Sequence, residues 1–468
     1  MFAVSDPAAA GGRPSGRGGA SRAPDGPDRS RPDPCGHGLS ACEVAAFLSR
    51  ARQLGHDTDR LLAGEVADSF VHLPTLEAVR GLVNVGVAER SARQAGFFHP
   101  AMAARSRIGQ GVHDRCEAYV FADGVVGEAD RERLAIHLPF PTRALSVLRR
   151  RVRCGEVWDL TVDPRLLGVD ERDDVLNVVN VGELMIEPGG RVIVQGNLLV
   201  LGCRHLVSHG SLEDDYHVGI WPTAGSVDRR SGPINGRPGA HGADGVPGLP
   251  GTCPSGVPTM IGFALGQPVG DRLDGNAGTG GGNGQCGQDG RTGGATKTAE
   301  ITVGRLTGTL TLLAIGGCGG QGGRGGDGGD GGDGGDAVPG FRTPSGPVPD
   351  GQPGRGGLGG DGGDGGRAGH GGISSNVFIT VPDAAMARVY VRTAPGEGGE
   401  GGPGGSPGRA GREGTAGGAD AACAAGSACA VGAVAKGNGG SAGRLGRTRP
   451  APEVFVNGRP STAGEPHT

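Results

Sequence analysis

Apolar residues near the start of the chain return at helical spacing. Val44, Phe47, Leu48 and Leu54 fall on one side of a helix that opens at Ser40-Ala-Cys-Glu43. That tetrapeptide is a capping box, in which the serine oxygen and the glutamate three residues later serve orphan backbone N–H groups. A second helix is predicted near Thr75, carrying Leu76, Val79, Leu82, Val83 and Val87. From Gly155 to about His209 the period shortens to that of strands: Val157 to Val162, Val175 to Val181, Glu183 to Ile186, Arg191 to Val194 and Asn197 to Val207. Pro188-Gly189-Gly190 and Gly196-Asn197 punctuate them as tight turns. Short strands at near-regular spacing suit a β-solenoid or a sandwich-like stack.

Beyond residue 230 glycine sets the pattern. It recurs every third residue in Gly236 to Gly251, Gly275 to Gly293, Gly316 to Asp336, Gly354 to Gly372 and Gly396 to Gly417, with a weaker run over Gly426 to Gly446. Strand-like pieces lie between: Ile301 to Ile315, Asn376 to Thr393 and Glu453 to Val456. A period of three matches polyproline II, which makes no internal hydrogen bonds and must bond to water or a neighbouring backbone. Runs of this length would extend roughly 60 Å at the rise of that helix. The expected fold is therefore mixed. A small α-helical N-terminal domain (39–153) follows a disordered leader (1–38), and a β-rich middle (154–230) follows that. A glycine-rich bundle of about six antiparallel polyproline II helices (231–450) has strands 300–315 and 374–394 interleaved, before a last strand and tail (451–468).

Composition fits this reading. Of 468 residues 100 are glycine and only 3% are aromatic, a composition that would argue for disorder were the glycines not periodic. The net charge of −4, with acids and bases interspersed, gives no nucleic-acid footprint. Met1 to Pro34 has no apolar core of a secretory signal, and no stretch reaches the ~20 apolar residues of a membrane span. The expectation is a cytoplasmic protein, or one exported to the cell surface without a leader, with oligomerisation left open.

The repeat pattern resembles that of glycine-rich polyglycine-II bundle proteins, such as springtail antifreeze proteins and the bundle domain of T4-type phage tail-fibre adhesins. GRPGAHGADGVPGLPG also looks collagen-like, with Pro238, Pro247 and Pro250 third in their triplets. The resemblance implies architecture, and by analogy an adhesive or recognition role. A collagen-like trimeric stalk and an ice-binding protein are the alternatives. The Asp327, Asp330, Asp333 and Asp336 ladder reads as a solvated face, because successive carboxylates would stand about 9 Å apart.

Three residue sets are candidate sites. Cys203, His205, His209 and His217, with Asp214 and Asp215, resemble metal ligands; even spacing would put Cys203, His205 and His209 on one strand face. They carry the alternative reading of a metal-binding or enzymatic site. Met260, Ile261, Phe263 and Leu265, with Val338 and Phe341, lie in the loops between paired glycine runs and are the expected recognition tip, or else a hydrophobic cap. Cys423 and Cys429 could form a disulfide only if Gly426-Ser-Ala is a hairpin tip. No nucleophile elbow, phosphate loop or paired carboxylate is present, so the chain reads as non-enzymatic, with no cofactor, no nucleic-acid partner and an unknown protein, glycan or surface ligand.

Overall fold

The structure, a computed structural model, describes residues 38–83, 90–93, 117–122, 127–135, 137–168, 174–209, 216–223, 233–253, 256–260, 262–265, 273–343, 346–417 and 435–461. The expected leader lies outside them. The chain divides into Met1–Gly38 and a compact unit, Leu39–Thr468.

Two sheets organise the compact unit. The larger has eight strands in the order β1 (Ala67–Leu73), β2 (Phe140–Val152), β4 (Leu176–Ile186), β6 (Leu198–Ser208), β10 (Ala299–Thr307), β14 (Val377–Thr380), β16 (Val454–Val456) and β17 (Arg459–Pro460). Its two outermost strands pair antiparallel and the inner ones parallel. The second sheet is parallel and has five strands, β15 (Val389–Ala394), β11 (Leu310–Ile315), β7 (Val218–Trp221), β5 (Arg191–Gln195) and β3 (Val157–Asp159). The chain alternates between them: β2 leads to β3, β4 to β5, β6 to β7, β10 to β11 and β14 to β15. Parallel strands covered on both faces read as near-continuous apolar runs. Leu176–Ile186 is such a strand, buried along nearly its whole length.

Leu145, Val179, Leu201, Ile301, Ile379 and Val456 occupy one register across six strands and are all buried between the sheets. Burying a side chain of this kind stabilises by roughly 1.5–3 kcal/mol. The pairing is interrupted in one lateral row, passing from Val147–Val181–Cys203–Val303 to Arg149–Glu183–His205–Arg305 and skipping Leu148, Gly182, Arg204 and Gly304. A Cβ at Gly182 would stand 2.4 Å from the Leu148 carbonyl oxygen, so position 182 of that bend requires glycine.

The expected fold class is overturned. The unit is a mixed α/β structure built on these two sheets, not an α-helical domain followed by a polyproline bundle. Helices among the described residues are few and short: α1 (Ala41–Gln53), α2 (Thr58–Leu62), α3 (Leu76–Arg80) and Glu128–Ala135, with further helical residues at 90–93 and 117–121. They pack on the outer face of the larger sheet, and Leu61 of α2 also closes against Phe47 and Ala51 of α1. Phe47 of α1 is fully buried, and its carbonyl accepts from Asn180 Nδ2 at 3.2 Å. Leu76 and Val79 of α3 bury against Val178, Val200 and Phe378. The physical reason is area: helices of five to thirteen residues cannot enclose a core between themselves, whereas a sheet face can cover each one. The pieces between the glycine segments likewise join the sheets begun at Phe140, rather than punctuating a bundle.

Candidate functional site

Between β7 and β10, β11 and β14, and β15 and β16 the chain leaves the sheets as paired glycine segments. The six segments, 236–251, 275–294, 316–337, 351–372, 396–417 and 437–449, lie in no helix or strand. They bond laterally through their backbones with a period of three. Gly236, Gly239 and Gly242 donate to the carbonyls of Gln321, Arg324 and Asp327, so the first and third segments run parallel. Gly320, Gly323 and Gly326 donate to Arg291, Gln288 and Gln285, so the second and third run antiparallel.

The number of glycines per triplet follows from the number of close neighbours. A Cβ at Gly329 would lie 2.1 Å from Ala243 O, and one at its neighbour Gly328 2.1 Å from Gly360 O; the inner third segment therefore needs two glycines. In the first segment only the leading glycine is so constrained, as at Gly242, 1.9 Å from Gly282 O. The fifth segment changes along its length. Gly398, Gly401 and Gly404 face the sixth segment, whereas the corresponding later positions are Pro407, Ala410, Glu413 and Ala416.

The aspartates complete the backbone accounting. Asp327, Asp330, Asp333 and Asp336 accept the N–H groups of Ser406, Arg409, Arg412 and Thr415 at 2.6–2.8 Å through Oδ1. One layer over, Asp361 and Asp364 accept from Asn438 and Ser441, and His370 Nδ1 accepts from Arg447 N. The backbone N–H of Ser406 holds the Asp327 carboxyl below the usual carboxylate range; Thr415 and Ser441 do the same for Asp336 and Asp364. The ladder is largely exposed, as expected of a solvated face, and is at the same time a row of acceptors for the next segment.

At the end away from the sheets, loops partly within the described residues join the first two pairs, while 418–434, between the fifth and sixth segments, lies outside the described residues. The segment ends there are tied together: Gly251 N donates to Asp336 O, Ala337 N to Thr415 O, Val338 N to Leu273 O and Gly351 N to Val338 O. In the first loop β8 (Gly256–Thr259) and β9 (Gly262–Leu265) form a hairpin whose turn residue Met260 is fully exposed, at 106%. Phe263 and Leu265 belong to β9, and Ile261 lies outside the described residues. In the second, β12 (Arg342–Thr343) pairs with β13 (Gly346–Pro347), and Val338 and Phe341 are half-buried at its base. Cys423 and Cys429 fall outside the described residues, as do Asp214 and Asp215.

The expected metal ligands do not converge. Cys203 faces the core between the sheets, where burial pushes its thiol up to about 12 and Sγ donates to His205 O. The skipped pairing at Arg204 reverses the alternation, so His205 faces outward. Its Nε2 meets Thr307 Oγ1 at 2.9 Å and its Nδ1 lies 3.4 Å from Glu183 Oε1. His217 is on the other sheet, where Nδ1 accepts from Thr311 N, and His209 is exposed beyond β6. Among the described residues no group of three or more His, Cys, Asp or Glu is placed to hold a metal.

A buried charge network escaped the sequence reading. Lys297 Nζ lies 2.7 Å from Asp174 Oδ1 and 3.5 Å from Glu117 Oε1, and Glu117 Oε2 accepts from Thr298 N and Oγ1. Next to it Arg93 donates to Glu300 Oε2 at 2.8 Å and lies over the Phe378 ring. These groups tie residues 93 and 117 to the start of β10, where the second glycine segment enters the sheet. The signal available was Lys297 and Glu300 at a strand opening otherwise made of Ala, Thr and Ile. No protein-family model matches the chain, and no curated protein and no solved structure matches it.

Proposed function

We propose that the protein is a non-enzymatic display scaffold, in which two wound sheets anchor three glycine hairpins and the hairpin ends contact a protein, glycan or surface. The observation that supports this reading is the convergence of the described segment ends at residues 251, 273, 336–338, 351 and 415, together with the full exposure of Met260 at the turn of a two-stranded hairpin. An apolar side chain held in water by ordered backbone is available to a partner, whereas the shaft behind it consumes its own backbone groups. Loops on a rigid support are where binding residues concentrate.

The test replaces 256–265 and 340–349 by glycine-serine linkers in the full chain, singly and together. Purified protein is then measured on glycan arrays and on cell surfaces. The reading expects saturable binding by the wild-type chain and its loss in the double replacement, with the thermal midpoint unchanged. Undiminished binding by the double replacement would sink it, and so would a wild-type chain that binds none of these surfaces.

A further inference from the structure

Strand β1 (Ala67–Leu73) is an outermost strand of the larger sheet, paired with β2 on one side and, among the described residues, with no strand on the other. The opposite edge of the same sheet ends in the two-residue strand Arg459–Pro460, and proline, lacking an N–H, blunts an edge. β1 has seven residues and no proline. Four exposed large apolar side chains lie in and just before it in the chain: Leu62, Val66, Phe70 and Val71, at 41–58% exposure. A long edge of this kind, free of proline and lysine, is a template for another strand.

We propose that the occupant is a second copy of this chain, joined through β1 in an antiparallel, two-fold symmetric pair centred on Phe70. The argument is self-complementarity. Directly opposite residues of an antiparallel pair point to the same face, so registers that keep the sheet faces aligned pair residues of equal parity. Centring on Phe70 matches all seven positions and sets Asp68 against His72 twice, with Phe70 against Phe70 at the axis. Centring on Ser69 or Val71 sets Phe70 against Asp68 or against His72 and leaves both Asp68–His72 pairs unmade. The face is already arranged for this pairing. Arg143 of β2 holds Asp68 through two bonds, at 2.9 and 2.7 Å, and lies over the Phe70 ring, 6.0 Å from its centre. Aromatic and opposite-charge cross-strand pairs are the units that stabilise such a joint. The result is one continuous sheet across two subunits, with an isologous interface.

Sedimentation velocity on the full chain over a range of concentrations tests this. Wild type is expected to dimerise. His72→Asp, which sets acid against Asp68, should weaken the dimer about tenfold or more, while His72→Lys retains it. Phe70→Cys should give an oxidised dimer in which mass spectrometry finds the residue-70 peptide linked to its own copy, and Val71→Cys should not. Circular dichroism of each variant separates lost association from lost folding. A wild-type monomer at every concentration overturns the proposal. So does a dimer indifferent to His72→Asp, and so does linkage at residue 71 in preference to residue 70.

Discussion

The Asp327 carboxylate accepts the backbone N–H of Ser406 at 2.7 Å, joining residues 79 positions apart in the chain. The same relation holds for Asp330 with Arg409, Asp333 with Arg412 and Asp336 with Thr415. The aspartates fix the alignment of the two segments within the triplet, because a slip of one or two residues would take every Oδ1 away from its N–H.

Acid should loosen this array. Asp327, Asp336 and Asp364 have carboxyls held below their ordinary range by backbone N–H groups. Their contribution is present above the unfolded carboxylate value, near pH 4, and is lost as pH falls through the lower folded values. Amide hydrogen exchange at Ser406, Thr415 and Ser441 is expected to accelerate as the pH is lowered below about 4, once corrected for intrinsic rates. Asp330→Asn should change little, since Asn283 Oδ1 already accepts from Asp361 N in the same way. Asp330→Val should lower the thermal midpoint.

Glycine substitutions should separate by position. At Gly329 an added Cβ would meet Ala243 O at 2.1 Å, whereas at Gly280 the nearest atom is Leu358 O at 3.5 Å. Gly329→Ala is expected to cost about 1–3 kcal/mol through forced backbone separation. Gly280→Ala should be neutral, or stabilising by up to about 1 kcal/mol, because alanine restricts the unfolded chain. Thermal denaturation of the two variants decides this.

Breaking the Arg93–Glu300 pair should be expensive. The two side chains are 5% and 0% exposed and 2.8 Å apart. Glu300→Ala leaves the guanidinium buried without that carboxylate, an arrangement that costs about 3–5 kcal/mol. Replacing both residues, as Arg93→Met with Glu300→Leu, should recover most of the loss. Chemical denaturation of the single and double variants makes the comparison.

The seat of α1 should weaken below neutral pH. Burial lowers the imidazoles of His56 and His205 below the ordinary histidine range. His56 sits between Ser146 Oγ at 2.8 Å and Ser69 Oγ at 3.0 Å. A group whose folded value is depressed contributes stability above its unfolded value, and that contribution is lost as pH falls from about 6.5 toward the folded value. Hydrogen exchange over 41–53 is expected to rise between about pH 6.5 and 5 in wild type. The rise should shrink in His56→Gln, which has no proton to gain.

Some of this was legible from local chemistry. The Ser40-Ala-Cys-Glu43 box does cap a helix, with Ser40 N donating to Glu43 Oε2 at 2.7 Å. What it did not announce is that Glu43 also holds Arg305 at 2.9 Å. Burial pushes the Glu43 carboxyl up, but Arg305 and Ser40 more than offset it and leave it at about 2. The strands of 39–153 were missed because β2 runs out through Arg149-Arg150-Arg151, which blurs alternation, and because β1 takes its partner from residues 140–146.

By itself the sequence determined which stretches repeat glycine at every third position, where apolar strands lie between them, and which helix is capped, because each of these rests on neighbours within a few residues. Only the tertiary structure decided that the strands share two sheets, that the aspartates bond to a segment 79 residues away, and that Cys203 and His205 face opposite ways. Those outcomes depend on which backbone comes alongside which, and on a one-residue slip at Arg204 that reverses every later side chain in its strand. Spacing along one chain carries neither kind of information.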